Sequence, residues 1–267
     1  PGDDIQTWDL PRIFAEIDRH FQKALASAPL LKTIPVTTFE PLLRPGIMPD
    51  ACRPTLFDFI AQEALAFYSS GEQAATVSQD AFEIEATSPI FDPVEKFLAW
   101  VPDTADVTSP KFKAVKIYQE LLRFHQGDQD PTAFIDANLA RTLFGKNVAV
   151  GEEVNERCMA ALKALVDQYA DHPLSALARH HWASILKAEG RLSDAHAIAA
   201  HGAKVFAESP GGILCSNLLI QIEAREMGIT TERVWNRPWP DIAVRYRNVT
   251  HVHFRAIPMD WLKNSKN

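Results

Sequence analysis

Apolar positions recur at helical spacing along most of the chain. In the segment opened by Asp9 and Pro11, the residues Ile13, Phe14, Ile17, Phe21, Ala24 and Leu25 share one face, and Pro29 stops the helix near Ala28. Pro54 opens a second helix, Thr55 to Ser69, with Leu56, Phe59, Ile60, Ala64 and Phe67 on one side and Thr55 with Asp58 as a capping box. Asp92-Pro93 starts a short helix to Trp100. Ser109-Pro110 starts one that runs through Phe124 and ends at Gly127, and Asp130-Pro131 starts one to about Phe144. A capping oxygen followed by proline suits a helix start, because the first turn has donors to satisfy and proline's missing N–H is not needed there. Between the first two helices, Leu30 to Cys52 carries Pro35, Pro41, Pro45 and Pro49, which predicts an extended stretch over the helices.

The stretch from Gly151 to Gly228 carries a repeat. Tyr169-Ala170-Asp171-His172-Pro173 ends one long helix and Phe206-Ala207-Glu208-Ser209-Pro210 ends another. The two words share the order aromatic, Ala, acid, any residue, Pro. Their prolines stand 37 residues apart, close to the roughly 34-residue period of tetratricopeptide repeats. The unit between them reads as a helix from Leu174 to about Glu189, a turn at Gly190, and a helix from Leu192 to Glu208. Ala183, Ala195 and Gly202 supply the small residues needed where the two helices cross. Trp182 sits one helical turn later than the motif's usual aromatic, so the unit is tetratricopeptide-like rather than a consensus repeat. Thr132–Phe144 with Glu152–Tyr169 reads as the preceding unit, and the helix from Ile213 to Glu226 as the terminal cap. The fold class expected is therefore all-α, of roughly eight to ten helices stacked as hairpins in a tetratricopeptide-like superhelix, with a short C-terminal β segment.

After Gly228 the period changes to two. Ile242, Val244 and Tyr246, then Val252, Phe254 and Ala256, alternate with Arg245, Arg247, His251, His253 and Arg255. That predicts a half-buried strand from Ile242 to Ile257, kinked near Asn248-Val249. A strand needs partners, and none is evident, so the chain reads as a helical repeat domain over 1–228 followed, over 229–267, by a linker and the first strand of a β-sandwich that is otherwise missing. Trp235 and Trp239 stand in a proline-bounded linker where no helical core needs them. With Tyr246 and Phe254 they are the expected contacts to a neighbouring domain or partner.

Composition narrows the chemistry. A net charge of -7 repels phosphate backbones, so nucleic acid is not expected as a partner. No apolar run is long enough to cross a bilayer. The start, Pro1-Gly2-Asp3-Asp4, is that of a processed or trimmed N-terminus. Cys52, Cys158 and Cys215 are far apart and form no C-x-x-C, so they read as small buried hydrophobes. None of the hydrolase, P-loop, dinucleotide or zinc-protease signatures occurs. His180 and His181 point about 100° apart on a helix and make a poor metal pair. His251 and His253 share a strand face but lack a third ligand. Glu83 and Glu85 read as the outer face of an edge strand, Gly211-Gly212 as the repeat turn, and Phe57, Phe59, Phe67, Tyr68, Phe91, Phe97 and Trp100 as core. No catalytic, cofactor-binding or metal-binding residue is expected.

Several short words carry a family resemblance. Tyr246-Arg247-Asn248-Val249, with the strand that follows, resembles the opening of the first macroglobulin-type β-sandwich in bacterial alpha-2-macroglobulin-like proteins. Arg53-Pro54-Thr55-Leu56-Phe57-Asp58-Phe59, Leu121-Leu122-Arg123-Phe124-His125 and Gly212 to Glu223 are similar to the helical region that precedes it in the larger members. The family traps proteases: cleavage of a bait segment collapses the sandwich array around the protease, and in many members a thioester built on Cys-x-Glu-Gln captures it. None of the three cysteines here begins that word. The resemblance therefore implies a non-catalytic helical module, exported to the periplasm or cell envelope, that scaffolds or docks the trap. Its implied partners are the rest of its own chain, target proteases or envelope proteins. The alternative is a free-standing tetratricopeptide-like adaptor that binds a peptide.

Overall fold

The computed structural model describes residues 4–44, 46–70, 82–231, 241–253 and 255. The described residues form an all-α fold with a short C-terminal β segment, and its contacts divide into two compact units, Pro1–Leu218 and Leu219–Asn267. The α-helices among them are α1 (Leu10–Leu25), α2 (Ala28–Leu31), α3 (Leu56–Tyr68), α4 (Val94–Ala99), α5 (Pro110–His125), α6 (Thr132–Val148), α7 (Val154–Gln168), α8 (Leu174–Ala188), α9 (Leu192–Val205) and α10 (Pro210–Glu223). Short strands are β1 (Ile84–Glu85), β2 (Ala149–Val150), β3 (Glu226–Thr230) and β4 (Ala243–Arg247).

Local chemistry explains the starts. Asp9 accepts the Arg12 N–H at 3.0 Å, and Thr55 with Asp58 form the full reciprocal box at the head of α3. Ser109 caps α5. At α6 the carboxylate of Asp130 takes both the N–H and the hydroxyl of Thr132. The Leu30–Cys52 stretch differs from the extended path expected. It holds α2 and 3-10 turns at Val36–Leu42 and Asp50–Cys52. Proline blocks a long helix but tolerates single turns, and here prolines flank the turns (Pro35, Pro49) or sit within one (Pro41).

In the first unit, α1 lies on α3 through Phe14 and Phe21 against Phe67, with ring centroids 6.0 and 5.6 Å apart. The contact is pinned by Asp18, which accepts from Tyr68 Oη at 2.7 Å and from Lys113 Nζ at 2.8 Å. Phe57 meets Phe124 edge-on, joining α3 to α5, and Tyr118 meets Phe144, joining α5 to α6. From there α5, α6, α7, α8 and α9 pack each on the next, as stacked hairpins do. Phe57 and Phe97 are fully buried, Tyr68 and Phe91 nearly so, and Phe67 and Trp100 pack against them, so these aromatics are core. β1 pairs parallel with β2, Ile84 facing Ala149, with Ile84 buried and Glu83 and Glu85 outward. Arg157 of α7 binds Ala86 O and the Asp92 carboxylate and ties the intervening loop to the stack.

The repeat register is visible in close approaches. Gly190 adopts φ +79 in the α8–α9 turn, a conformation that favours glycine. Ala183 of α8 and Ala195 and Gly202 of α9 are buried, and Gly202 packs against Cys215 of α10 and Arg179 of α8. A Cβ on Gly202 would lie 2.8 Å from Cys215 Sγ of α10.

The second unit corrects the expectation of an unpartnered strand. β4 pairs antiparallel with β3, Glu226 opposite Arg247 through Thr230 opposite Ala243. The last helix, expected to run to Glu226, stops at Glu223, and β3 begins at Glu226. The expected strand to Ile257 stops at Arg247, and residues 248–253 are irregular. Asn248 accounts for both ends. It takes a left-handed φ of 55, and its side-chain amide donates to Ile222 O at 2.7 Å and Ala224 O at 3.0 Å, satisfying carbonyls at the end of α10. A residue turned back to that task cannot continue the ladder.

Gly202→Leu is expected to cost on the order of 1–3 kcal/mol by overpacking, read as a lower midpoint in denaturant melts. Cys215→Ala should recover part of the smaller loss caused by Gly202→Ala, since it removes the atom met at 2.8 Å. A melting temperature unmoved by Gly202→Leu contradicts this packing.

Candidate interaction site

The pairing of β3 with β4 sorts their side chains. Residues directly opposite share a face and successive residues alternate. Met227 with Tyr246 and Ile229 with Val244 therefore lie on one face, with Ile242 in the same alternation. Glu226 with Arg247 and Gly228 with Arg245 lie on the other. The polar face is tied down: Arg247 pairs with Glu226 and donates to Gln221 O at 3.1 Å. The apolar face is open. Met227, Ile229, Ile242 and Tyr246 are 54, 49, 49 and 65 % exposed. An apolar patch on a two-stranded sheet is out of place in water, because a hairpin of that size has little stability of its own.

Of the four residues the sequence singled out for partner contact, Tyr246 is at the centre of this face. Trp235, Trp239 and Phe254 lie outside the described residues. Met227 and Ile229, the other half of the face, were missed. Their signal was a five-residue alternation, Glu226-Met227-Gly228-Ile229-Thr230, too short to compete with the helical pattern running into it.

A second surface lies on the repeat. Met159 and Ala160 of α7, Trp182 and Leu186 of α8, and Ala197 and Ile198 of α9 line an open groove of about 420 Å³. Of the charges at its edge, Lys163 pairs with Asp167, and Arg191 with Asp194 at 2.7 Å. The displaced Trp182 thus becomes a groove residue, a position its spacing did not announce.

Inside the first unit sits a cluster of ionisable groups. His125, 2 % exposed, lies between two carboxylates, with Nε2 2.7 Å from Asp58 Oδ1 and Nδ1 2.6 Å from Asp128 Oδ2. Burial pushes its pKa down, but the hydrogen bonds to Asp58 and Asp128 outweigh burial and the value is raised. Asp58 also serves the α3 capping box through its other oxygen, so His125 joins the start of α3 to the end of α5. Nearby, Asp136 is buried and its carboxylate reaches Arg53 Nε only at 3.9 Å, too far for a hydrogen bond. Burial raises its pKa to about 6. Both imidazole nitrogens of His125 are engaged and the ring is sealed from solvent, so the cluster acts as a structural clamp.

The remaining histidines fall into place. Burial lowers the pKa of His180 and brings that of His181 to about 4, so both rings are neutral at pH 7. His251 and His253 stack at 6.4 Å. Among the described residues no group of three or more His, Cys, Asp or Glu is arranged to hold a metal ion, and no helix is long and apolar enough to cross a membrane. All three cysteines are buried thiols, with burial raising Cys158 and Cys215 to about 11.

The cluster carries a pH signature. Asp136 titrates near 6 when folded against 3.8 otherwise, so as pH rises the unfolded chain ionises first and folding loses stability. The loss accumulates between about pH 4 and 6 and reaches roughly 2–3 kcal/mol. His125 adds a loss of the same sign: its raised folded value means its contribution is complete below its unfolded pKa and fades as pH rises through the folded one. Asp136→Asn mimics the neutral acid. Urea melts should find it indistinguishable from wild type at pH 4 and more stable at pH 7. A variant less stable at pH 7 would show that the Arg53 pair outweighs desolvation.

No protein-family model matches the chain, and no curated protein or solved structure matches it.

Proposed function

We propose that this chain is a non-catalytic helical module of a bacterial macroglobulin-like protease trap, and that its C-terminal hairpin is the docking point for the β part of that trap. The observation that carries the reading is the open apolar face of Met227, Ile229, Val244 and Tyr246. A β-sandwich buries one face of each sheet against another sheet. A hairpin polar on one side and apolar on the other has the pattern of such a sheet before its partner is added. The family resemblance begins at Tyr246-Arg247-Asn248-Val249, the same end of the hairpin. In this reading the module works in the periplasm or cell envelope.

The groove over Trp182 favours a second reading, a tetratricopeptide-like adaptor that captures a peptide. A tryptophan set among Met159, Leu186 and Ile198 is the kind of apolar anchor that dominates binding at protein interfaces.

The trap reading is tested on the complete gene product mixed with an endoprotease. Captured protease should keep its activity on small peptide substrates and lose it on protein substrates. Ile229→Ser with Tyr246→Ser should weaken that capture. Both sites are exposed, so the melting of the helical unit should change by no more than about 0.5 kcal/mol. Protease that stays fully active on protein substrates refutes the trap. Loss of a bound peptide on Trp182→Ala, with the hairpin variants silent, establishes the adaptor instead.

A further inference from the structure

A cleft of about 160 Å³ lies in the first unit, where the two repeat words meet the Asp50–Cys52 turn. Met48 and Cys52 form one wall, Leu174 and Leu177 of α8 a second, and Pro210 and Gly211 at the head of α10 a third. Exposed Pro49, Ala51 and Pro173 mark its mouth.

Three side chains on its lining have polar atoms for a ligand, and each is already satisfied. The Leu174 N–H donates to His172 Nδ1 at 3.2 Å, which leaves the proton on Nε2, and that N–H donates to Thr132 Oγ1 at 3.0 Å. The Thr132 hydroxyl donates in turn to Asp130 Oδ1 at 2.6 Å. The Ser209 hydroxyl donates to Phe206 O at 2.8 Å and accepts the Gly212 N–H at 3.0 Å. The Cys52 thiol, pushed up to about 12 mainly by burial, stays neutral. A water placed in the cleft would find few of the two to four partners it needs.

The cleft cannot close on itself. A Cβ on Gly211 would lie 2.2 Å from Leu177 N, so α8 and α10 are already in backbone contact at its floor. The facing wall is a hydrogen-bonded turn, Cys52 N–H to Pro49 O at 2.9 Å and Arg53 N–H to Asp50 O at 2.9 Å. A preformed apolar space pays little reorganisation on binding. Its size is informative: sites for drug-sized molecules begin near 300 Å³, whereas an apolar cavity of about 150 Å³ takes benzene or xenon.

We propose that this cleft is a binding site for one small, uncharged, apolar molecule of about the size of a single aromatic ring. Its occupant bridges the Met48–Cys52 segment to the heads of α8 and α10 and adds to the stability of the stack. The site is independent of the hairpin and of the Trp182 groove.

The test is a titration of the full chain with fluorobenzene, followed by fluorine and methyl NMR. Binding should saturate at one molecule per chain, with nuclear Overhauser contacts from the ring to the methyl groups of Met48, Leu174 and Leu177. Benzoate, the same ring with a charge, should not bind. Ala51→Phe places a ring at the mouth and should weaken fluorobenzene binding by roughly tenfold or more, about 1.4 kcal/mol or more by the affinity relation. Should that variant fail to fold, the methyl contacts in the wild-type chain decide the matter. Non-saturating uptake, equal binding of benzoate, or contacts to other methyl groups overturns the proposal.

Discussion

The head of α10 meets α8 and α9 with no room for a side chain between them. A Cβ on Gly212 would fall 1.8 Å from Phe206 O, one on Gly211 2.2 Å from Leu177 N, and one on Gly202 2.8 Å from Cys215 Sγ. At Gly211 and Gly212 the neighbour is backbone, which cannot repack, and at Gly202 it is the Cys215 side chain, so the start of the last helix is placed largely by backbone contact. The stack inherits its end from this contact. The cleft beside Pro210 inherits a floor that cannot sink, and α10 itself carries the chain from the first unit into the second, where Asn248 holds its final carbonyls.

Polar and apolar chemistry are divided in an informative way. Buried His125 and half-buried Thr132, His172 and Ser209 are each bonded to a neighbouring side chain or to the backbone. Among the described residues three open surfaces are apolar: the hairpin face, the Trp182 groove and the small cleft. Surfaces of that kind bind by shape and burial.

Much of this was legible in the residues. Cap-and-proline starts placed α3, α5 and α6 to within a residue or two, because the first turn of a helix has a local electrostatic requirement that local residues meet. The repeat words placed α8 and α9. Three features were not legible, each for a physical reason. The turns within Leu30–Cys52 depend on pairing with the residues just before α3, as in the Val36 N–H to Pro54 O bond. The pairing of β3 with β4 joins residues 226 and 247 across a linker, and no short-range periodicity reports a long-range partner. The clamp on His125 requires Asp58, 67 positions away, to be brought alongside it. Of the partner contacts expected at Trp235, Trp239, Tyr246 and Phe254, the described residues contain Tyr246, and the alternation of Ile242, Val244 and Tyr246 did mark the apolar face.

We propose that a further sheet covers the open face of the hairpin. Amide hydrogen exchange on β3 and β4, compared between this 267-residue chain and a form of it that carries the proposed β-sandwich, tests it most directly. A two-stranded hairpin open on one face should exchange with little protection, and the same amides should be strongly protected once a β-sandwich covers Met227, Ile229 and Tyr246. Equal exchange in the two forms would contradict the account.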